Sequence, residues 1–250
     1  AIGSSYEDTV YSVAETEDGD IILGGNFGED IELKNGLNLI AQNRYNGMII
    51  KYSASGEIKW ATRIGNSIKT VGKCKNGGFV AGGYFERSID LGNGESLTSQ
   101  GSLDGIILKY NEQDVIEQVI QIEGNYDEEI SAVVESADGG IIVGGYSGSS
   151  SVNVGNGIAL KNKLNNDGMI IKYNQNGICE WAKGINGKVQ EYITSVSETL
   201  NGDIIVGGYF SSTDTEIDGK NLINNGNYDG MIIKIASKPG VQELQELTVE

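Results

Sequence analysis

Acidic residues recur at matching positions of this chain, and their oxygen atoms could bind a metal ion. Asp104, Asp167 and Asp229 each precede a glycine in "DGIILKY", "DGMIIKY" and "DGMIIKI", and Asn46 holds the same place in "NGMIIKY". Carboxylate and carbonyl oxygens are the ligands that calcium prefers, so a ring of these side chains is a candidate calcium site. The alternative is local, because Asp or Asn before Gly also bonds its own backbone in a turn.

A second acidic group lies in "SYEDT" and "NYDEE", where Asp8 and Asp127 extend the candidate metal site. Clustered acids repel one another unless a cation lies among them. The equivalent "NSIKT" has no acid, so a solvated acidic rim is the alternative. Tyrosines accompany these acids, and aromatic rings beside carboxylates are a common means of binding sugars and proteins. The candidate ligand-binding residues are Tyr6, Tyr45, Tyr126 and Tyr228.

Little in the chain could perform catalysis. It has no histidine, which removes the commonest general base and a common metal ligand. Phosphate-binding loops, nucleophile elbows and zinc-ligand spacings are absent. Paired carboxylates alone could hydrolyse a glycosidic bond, but such a pair should break the symmetry of the repeats at one place, and none does. The sequence favours a protein that is not an enzyme, with a carboxylate-based carbohydrate-active enzyme as the alternative.

Composition excludes further classes of function. Eighteen Lys and Arg against 35 Asp and Glu give a net charge of −17, which repels nucleic acid and anionic lipid. No apolar run approaches the ~20 residues that span a bilayer. We therefore expect neither a nucleic-acid partner nor membrane insertion. Cys74 and Cys179 occupy non-equivalent positions, which favours buried thiols over a disulfide or a metal framework.

Four copies of one motif position these residues. Gly-Gly pairs begin at Gly24, Gly82, Gly144 and Gly207, which are 58, 62 and 63 residues apart. This period predicts a repeat architecture over residues 1–236. The repeats cover approximately residues 6–65, 66–124, 125–186 and 187–236, and residues 237–250 form either a C-terminal strand or a linker to a further module.

Each repeat contains the pattern of four strands separated by short turns. The second and third strands, "DIILGGNF" and "GMIIKYS" in the first repeat, are continuous apolar runs, as expected of strands covered on both faces. Four-stranded antiparallel sheets repeated around an axis form a β-propeller. The Gly-Gly pairs would let adjacent sheets approach closely. We predict an all-β propeller, favouring a closed ring of four blades. A larger ring completed by self-association or by further repeats is the alternative.

The repeats contain, in order, "GGYF", "IDLGNGESLTSQG", "DGIILKYN" and then Gly and Trp, as in Gly56 and Trp60. This order resembles a bacterial β-propeller repeat named for a seven-bladed form. The resemblance implies an exported or cell-surface bacterial protein and no shared activity. On the propeller, variable polar loops near residues 28–46, 86–104, 147–167 and 211–229 would share one face, where binding usually resides. We expect a non-catalytic extracellular module that binds a protein or glycan there, with calcium as the candidate cofactor and a structural spacer as a further alternative.

Overall fold

The computed structural model describes residues 2–163, 165–237 and 244–246. These residues form four antiparallel sheets of four strands each, which confirms the predicted all-β propeller fold. Within them the single helical element is a 3-10 turn, Lys34–Gly36. None of the described segments forms a helix of the length and apolarity needed to cross a lipid bilayer.

Each sheet is a blade with a small hairpin between its second and third strands. Blade 1 contains β1 (Thr9–Glu15), β2 (Ile21–Phe27), the hairpin β3 (Ile31–Glu32) and β4 (Asn38–Leu39), β5 (Asn46–Tyr52) and β6 (Ile58–Arg63). Blade 2 contains β7 (Ser67–Lys73), β8 (Phe79–Phe85), the hairpin β9 (Ser88–Asp90) and β10 (Ser96–Thr98), β11 (Asp104–Tyr110) and β12 (Ile116–Ile122). Blade 3 contains β13 (Glu128–Glu135), β14 (Ile141–Ser147), the hairpin β15 (Ser151–Asn153) and β16 (Ala159–Lys161), β17 (Asp167–Tyr173) and β18 (Cys179–Ile185). Blade 4 contains β19 (Glu191–Glu198), β20 (Ile204–Phe210), the hairpin β21 (Glu216–Ile217) and β22 (Lys220–Asn221), β23 (Asp229–Ile235) and β24 (Leu244–Glu246).

The turn between the first and second strands of each blade requires glycine. Gly19, Gly77, Gly139 and Gly202 all have φ between 81° and 82°, the left-handed region that side chains with a Cβ atom rarely adopt. These four turns are short and alike, as the repeated sequence predicts. They emerge on the face opposite the long hairpin-bearing loops.

Successive blades pack through the first glycine of each Gly-Gly pair. An isoleucine on the first strand of the next blade lies where a Cβ atom would project from that glycine. The pairs are Gly24 with Ile68, Gly82 with Ile130 and Gly144 with Ile193, and the added Cβ would lie 2.6, 2.7 and 2.4 Å from the isoleucine Cγ2 atom. This arrangement confirms that the glycines allow close approach of adjacent sheets.

The hydrophobic core is divided into layers between neighbouring blades and a further cluster within blade 1. Trp60 of blade 1, for example, stacks on Tyr110 of blade 2 with ring centroids 6.0 Å apart. Cys74 and Cys179 are both buried within the layer between blades 2 and 3 and form no disulfide, as predicted. Burial raises the pKa of the Cys74 thiol to about 12, so this side chain acts as a small apolar residue.

The described blades form an open arc rather than a closed ring of four. Each blade packs on the next, but among the described residues no extensive contact joins blade 1 to blade 4. Val10 and Val13 on β1 are 48% and 66% exposed, and Ile232 on β23 is 39% exposed. The expectation of a closed four-bladed ring is therefore wrong for this structure, because the apolar sides of the first and last blades do not meet.

The C-terminal segment contributes the fourth strand of the last blade. Residues Leu244–Glu246 pair antiparallel with β23. The rest of the segment predicted as strand or linker, residues 238–243 and 247–250, lies outside the described residues. The strand explains how blade 4 is completed although its sequence has no tryptophan.

Candidate functional site

The innermost strands bring one end of every blade together. The first strands contact one another in succession, β1 with β7, β7 with β13 and β13 with β19. They begin on the same face on which the second strands end, which is also the face of the long loops. The name inner rim is used here for the polar and aromatic side chains at this end of these strands and loops. They are Tyr11, Lys69, Tyr84, Glu129, Tyr146, Tyr192, Tyr209 and Tyr228.

Four of these tyrosines form a continuous aromatic row from blade 3 to blade 4. The ring centroids of Tyr146 and Tyr192 are 4.8 Å apart, those of Tyr192 and Tyr209 5.1 Å, and those of Tyr209 and Tyr228 5.7 Å. The first and last of these contacts are edge to face, an arrangement that aromatic pairs favour. The Asn166 amide donates to the Tyr192 hydroxyl at 2.8 Å, which fixes the orientation of this ring.

Lys69 and Glu129 supply the charged groups of the rim on blades 2 and 3. The Lys69 ammonium lies 4.1 Å from the Tyr11 ring centroid and 5.6 Å from that of Tyr84. Its Nζ atom is 3.9 Å from Glu129 Oε2. Burial raises the pKa of Glu129 while the Lys69 charge lowers it. The ammonium therefore connects two aromatic rings and a carboxylate, a combination of cation–π and ionic contacts.

Three of the rim phenols, those of Tyr84, Tyr146 and Tyr209, are held in the neutral form. Burial, with a smaller contribution from Glu129, raises the pKa of Tyr84 to about 12. Burial also raises the pKa values of Tyr146 and Tyr209. Neutral phenols donate and accept hydrogen bonds and present an apolar ring face. The rim can thus contact a polar ligand through hydroxyl groups and rings.

The structure brings only one of the four predicted tyrosines into this row. Tyr228 is its last member, whereas Tyr6 and Tyr45 lie beside Arg44 in blade 1. The Tyr6 ring also covers Gly28, where a Cβ atom would approach it to 2.5 Å. Tyr126 is exposed near Gly148 of blade 3. Tyr6 and Tyr45 therefore share Arg44, and Tyr45 is near enough to Tyr84 to influence its charge, whereas Tyr126 belongs to a loop of another blade.

The predicted ring of metal ligands does not assemble. Asn46, Asp104 and Asp167 are fully buried, each at the start of the third strand of a separate blade. Asn46 Oδ1 accepts the Gln42 N–H at 2.8 Å, and Asp104 Oδ2 accepts the Gln100 N–H at 3.0 Å. Asp167 and Asp229 accept equivalent bonds from the backbone four residues earlier. These side chains stabilise their own loops, in agreement with the alternative that Asp or Asn before Gly bonds the nearby backbone in a turn.

The two junction aspartates also lack a metal-binding arrangement. Asp8 accepts the Ser4 hydroxyl at 3.0 Å and the Gly28 N–H at 3.3 Å. Asp127 is half-buried, and its backbone carbonyl accepts the Gly148 N–H at 2.8 Å. In the part of the chain that the structure describes, no group of three or more acids and cysteines could hold a metal ion.

Two buried glutamates at the blade junctions are not among the site residues predicted from the sequence. Glu128 Oε1 accepts the Ser147 hydroxyl at 2.8 Å, and Glu191 Oε1 accepts the Thr215 hydroxyl at 2.9 Å. The other oxygen of each carboxyl group is buried without a hydrogen-bond partner among the described residues. Burial raises the pKa of Glu128 to about 7, and the Asp104 charge acts in the same direction. Burial likewise raises the pKa of Glu191.

The first blade junction has amides where the other two have acids. Asn46 and Asn66 hold the positions that Asp104 and Glu128 hold at the next junction. An amide cannot ionise, so this substitution within the chain indicates that the position favours an uncharged group. Comparing the four repeats at this position is the signal that could have identified the buried acids.

A sequence pattern could also have identified three of the rim tyrosines. Tyr84, Tyr146 and Tyr209 directly follow the Gly-Gly pairs, in "GGYF", "GGYS" and "GGYF". The motif predicts a strand, in which successive side chains point to opposite faces of the sheet. That rule does not tell which side chains of different blades meet at the end of the propeller axis.

No protein-family model and no curated protein matches the chain. Among solved structures, it is similar to a protein of unknown function from Bacteroides caccae, with 10% identity, a TM-score of 0.49, and coverage of 96% of this chain and 60% of that one. It is also similar to the Neurospora crassa Pan2 WD40 domain, with 10% identity, a TM-score of 0.26, and coverage of 90% and 81%. The chain therefore spans about 60% of the length of the first of these.

Proposed function

We propose that this chain is a non-catalytic binding module that recognises a protein or glycan through the inner rim. The observation that carries this proposal is the row of tyrosine rings on blades 3 and 4, which begins at Tyr146 beside Glu129 and so adjoins the Lys69 contacts at the same end of the propeller axis. Tyrosine combines a rigid apolar ring with a hydroxyl group, which suits recognition of sugars and of protein surfaces.

Charge restricts the ligand class. The chain carries a net charge of −17, so an anionic ligand would be repelled at long range. Burial raises the pKa of the Tyr84 phenol, which keeps it neutral, and the two charged side chains of the rim, Lys69 and Glu129, pair with each other. An uncharged glycan or a neutral to basic protein surface is the ligand that these groups fit.

Burial of the perturbed carboxyl groups supports a non-catalytic role. Glu128 and Glu191 are fully enclosed between blades. A carboxyl pair that hydrolyses a glycosidic bond must reach both sides of that bond in an open site. A carbohydrate-active enzyme would therefore need other acids of this chain.

We further propose that the module acts outside a bacterial cell. The resemblance of its repeats to those of exported and surface-anchored proteins is the support for this location. A purely structural spacer would have the same location but no ligand.

A binding screen tests the proposal. The chain would be applied to arrayed glycans and extracellular-matrix proteins, once with millimolar calcium and once with chelator. A specific, saturable ligand is expected, and its loss on substitution of a rim residue would assign it to the rim. Absence of any ligand in both conditions would contradict the proposal and support the spacer, whereas cleavage of an arrayed glycan would support the enzyme.

A further inference from the structure

The three internal blade junctions share one apolar contact. At the first junction, a Cβ atom on Gly24 would lie 2.6 Å from Ile68 Cγ2 and 3.0 Å from Val71 Cγ1. At the third junction, the corresponding atoms of Ile193 and Val196 would lie 2.4 and 2.9 Å away. At the second junction the nearest atoms are Ile130 Cγ2 at 2.7 Å and Thr70 Cγ2 of the glycine's own blade at 2.9 Å, so the isoleucine is common to all three junctions and the valine to the first and third.

The first strand of blade 1 presents the same pair of side chains to solvent. Val10 pairs with Gly25 in the register in which Ile68 pairs with Gly83, and Val13 corresponds to Val71. Val10 and Val13 are 48% and 66% exposed. Their counterparts in the other blades are buried or half-buried. This surface, formed by Val10, Val13 and Glu15, is named the leading face.

The last blade presents the complementary half of the contact. A Cβ atom on Gly207 would meet only the hydroxyl of Ser195 in its own blade, and one on Gly230 would meet nothing within 4 Å. Ile232 is 39% exposed, although its counterpart Ile170 in blade 3 is fully buried. This surface, formed by Ile205, Gly207, Gly230 and Ile232, is named the trailing face.

A polar contact at two internal junctions also has both of its halves exposed at the two ends of the arc. Glu135 accepts the Lys75 N–H of the preceding blade at 2.7 Å, and Glu198 accepts the Ala137 N–H in the same way. Glu15 holds the position of these glutamates on β1 and is exposed. The backbone of blade 4 that corresponds to Ala137 is that of Leu200, whose side chain is also exposed.

From this correspondence we propose that two copies of the chain associate head to tail, the leading face of each packing on the trailing face of the other. The occupant is assigned as a second copy because the chain itself exposes both halves of a contact that it makes three times internally. Two copies would form a ring of eight blades, within the range of about four to eight that propellers adopt. A heterologous contact that closes in this way leaves no apolar face exposed.

Sedimentation velocity over a range of concentrations tests the proposal. The wild-type chain is expected to convert from monomer to a species of twice its mass as concentration rises. Val10→Asp/Val13→Asp should weaken this dimer by at least about 100-fold, because it removes the two apolar side chains of the contact. Gly207→Val should have the same effect by filling the recess that receives Val10. The Cβ atom that it adds lies nearest the Ser195 hydroxyl, the movable end of a side chain in its own blade.

Mixing the two variants provides the decisive control. Each variant retains the face that the other has lost, so an equimolar mixture should form a heterodimer through one intact contact while each alone remains monomeric. Three results would each overturn the proposal. The wild-type chain could stay monomeric at several hundred micromolar, the dimer could be unaffected by either variant, or the mixture of the two variants could stay monomeric. A monomer whose melting temperature falls on Val10→Asp/Val13→Asp would overturn it as well, since that result indicates closure within one chain.

Discussion

Ile130 lies directly against Gly82 across the boundary between blades 2 and 3, and a Cβ atom on Gly82 would come within 2.7 Å of Ile130 Cγ2. The same relationship joins the other two pairs of adjacent blades, whereas Gly207 at the end of the arc has no residue of a following blade against it. The first glycine of each pair therefore sets how closely two sheets can approach.

Gly82→Ala should destabilise the chain by about 1–3 kcal/mol, the usual cost of forcing an extra carbon into a packed core. Gly207→Ala at the equivalent position of blade 4 is the matched control, expected to change the free energy of unfolding by no more than about 0.5 kcal/mol. Urea unfolding of both variants at a concentration where the chain is monomeric gives the comparison. Equal losses in the two variants would mean that the contact with the next blade is not the cause.

Glu128 should make stability depend on pH. Its pKa is about 7 in the folded chain and 4.5 ordinarily, a difference that corresponds to roughly 3 kcal/mol. Because the folded-state pKa is raised, the stabilisation is complete below pH 4.5 and is lost as pH rises through 7. Glu128→Gln removes the ionisation, so it should raise the melting temperature at pH 8 and have little effect at pH 4.5.

Glu112→Gln, a substitution at an exposed turn, is the control for that experiment. It should leave the melting temperature nearly unchanged at both pH values. If Glu128→Gln lowers the melting temperature at pH 8, the carboxylate is stabilised in the folded chain by a partner, and the interpretation of this junction is wrong.

The ion pair between Lys109 and Glu135 should be costly to break from one side. Its Nζ and Oε1 atoms are 3.0 Å apart, and both side chains are more than nine-tenths buried. Glu135→Gln leaves the ammonium group without its countercharge, which should cost about 3–5 kcal/mol. The double variant Lys109→Met/Glu135→Gln should recover most of this loss, as measured by denaturant unfolding.

An exposed ion pair provides the contrast. Lys188 Nζ lies 3.3 Å from Asp214 Oδ2, but the lysine is largely solvated. Lys188→Met should therefore cost less than about 1 kcal/mol. A double variant no more stable than Glu135→Gln alone would show that the lost contacts of Glu135, rather than the unpaired charge, determine its effect.

Much of the fold follows from local patterns in the sequence, but ring closure does not. The buried runs such as "GMIIKY" and the turn glycines such as Gly19 specify strands and their connections through short-range physical rules. Closure depends on whether Val10 and Gly207 can meet, and that is determined by the angle between blades accumulated over the whole arc. No local pattern contains this angle, and the expectation of a closed four-bladed ring failed for that reason.

The candidate site was predictable only in part. The turn role of Asp104 was among the alternatives, because an aspartate before glycine bonds its own backbone wherever it occurs. The face bearing the long loops was also specified by the order of strands. The meeting of Tyr146 with Tyr192 was not, since these residues belong to different blades and 46 residues separate them along the chain.

Tyr11→Ala should separate ligand binding from stability and from association of the chain. Tyr11 is 44% exposed, and its ring packs under the Lys69 ammonium of blade 2 at 4.1 Å. Its removal eliminates one aromatic surface and the cation–π contact, so affinity for the ligand found by the binding screen should fall about 10-fold or more. Tyr126→Ala is the matched control, since Tyr126 is 59% exposed but lies outside the inner rim. Isothermal titration of both variants, with melting temperatures measured in parallel, should show weakened binding only for Tyr11→Ala and little change in melting temperature for either. If only Tyr126→Ala weakened binding, the ligand would bind at the loop of Tyr126 rather than at the inner rim.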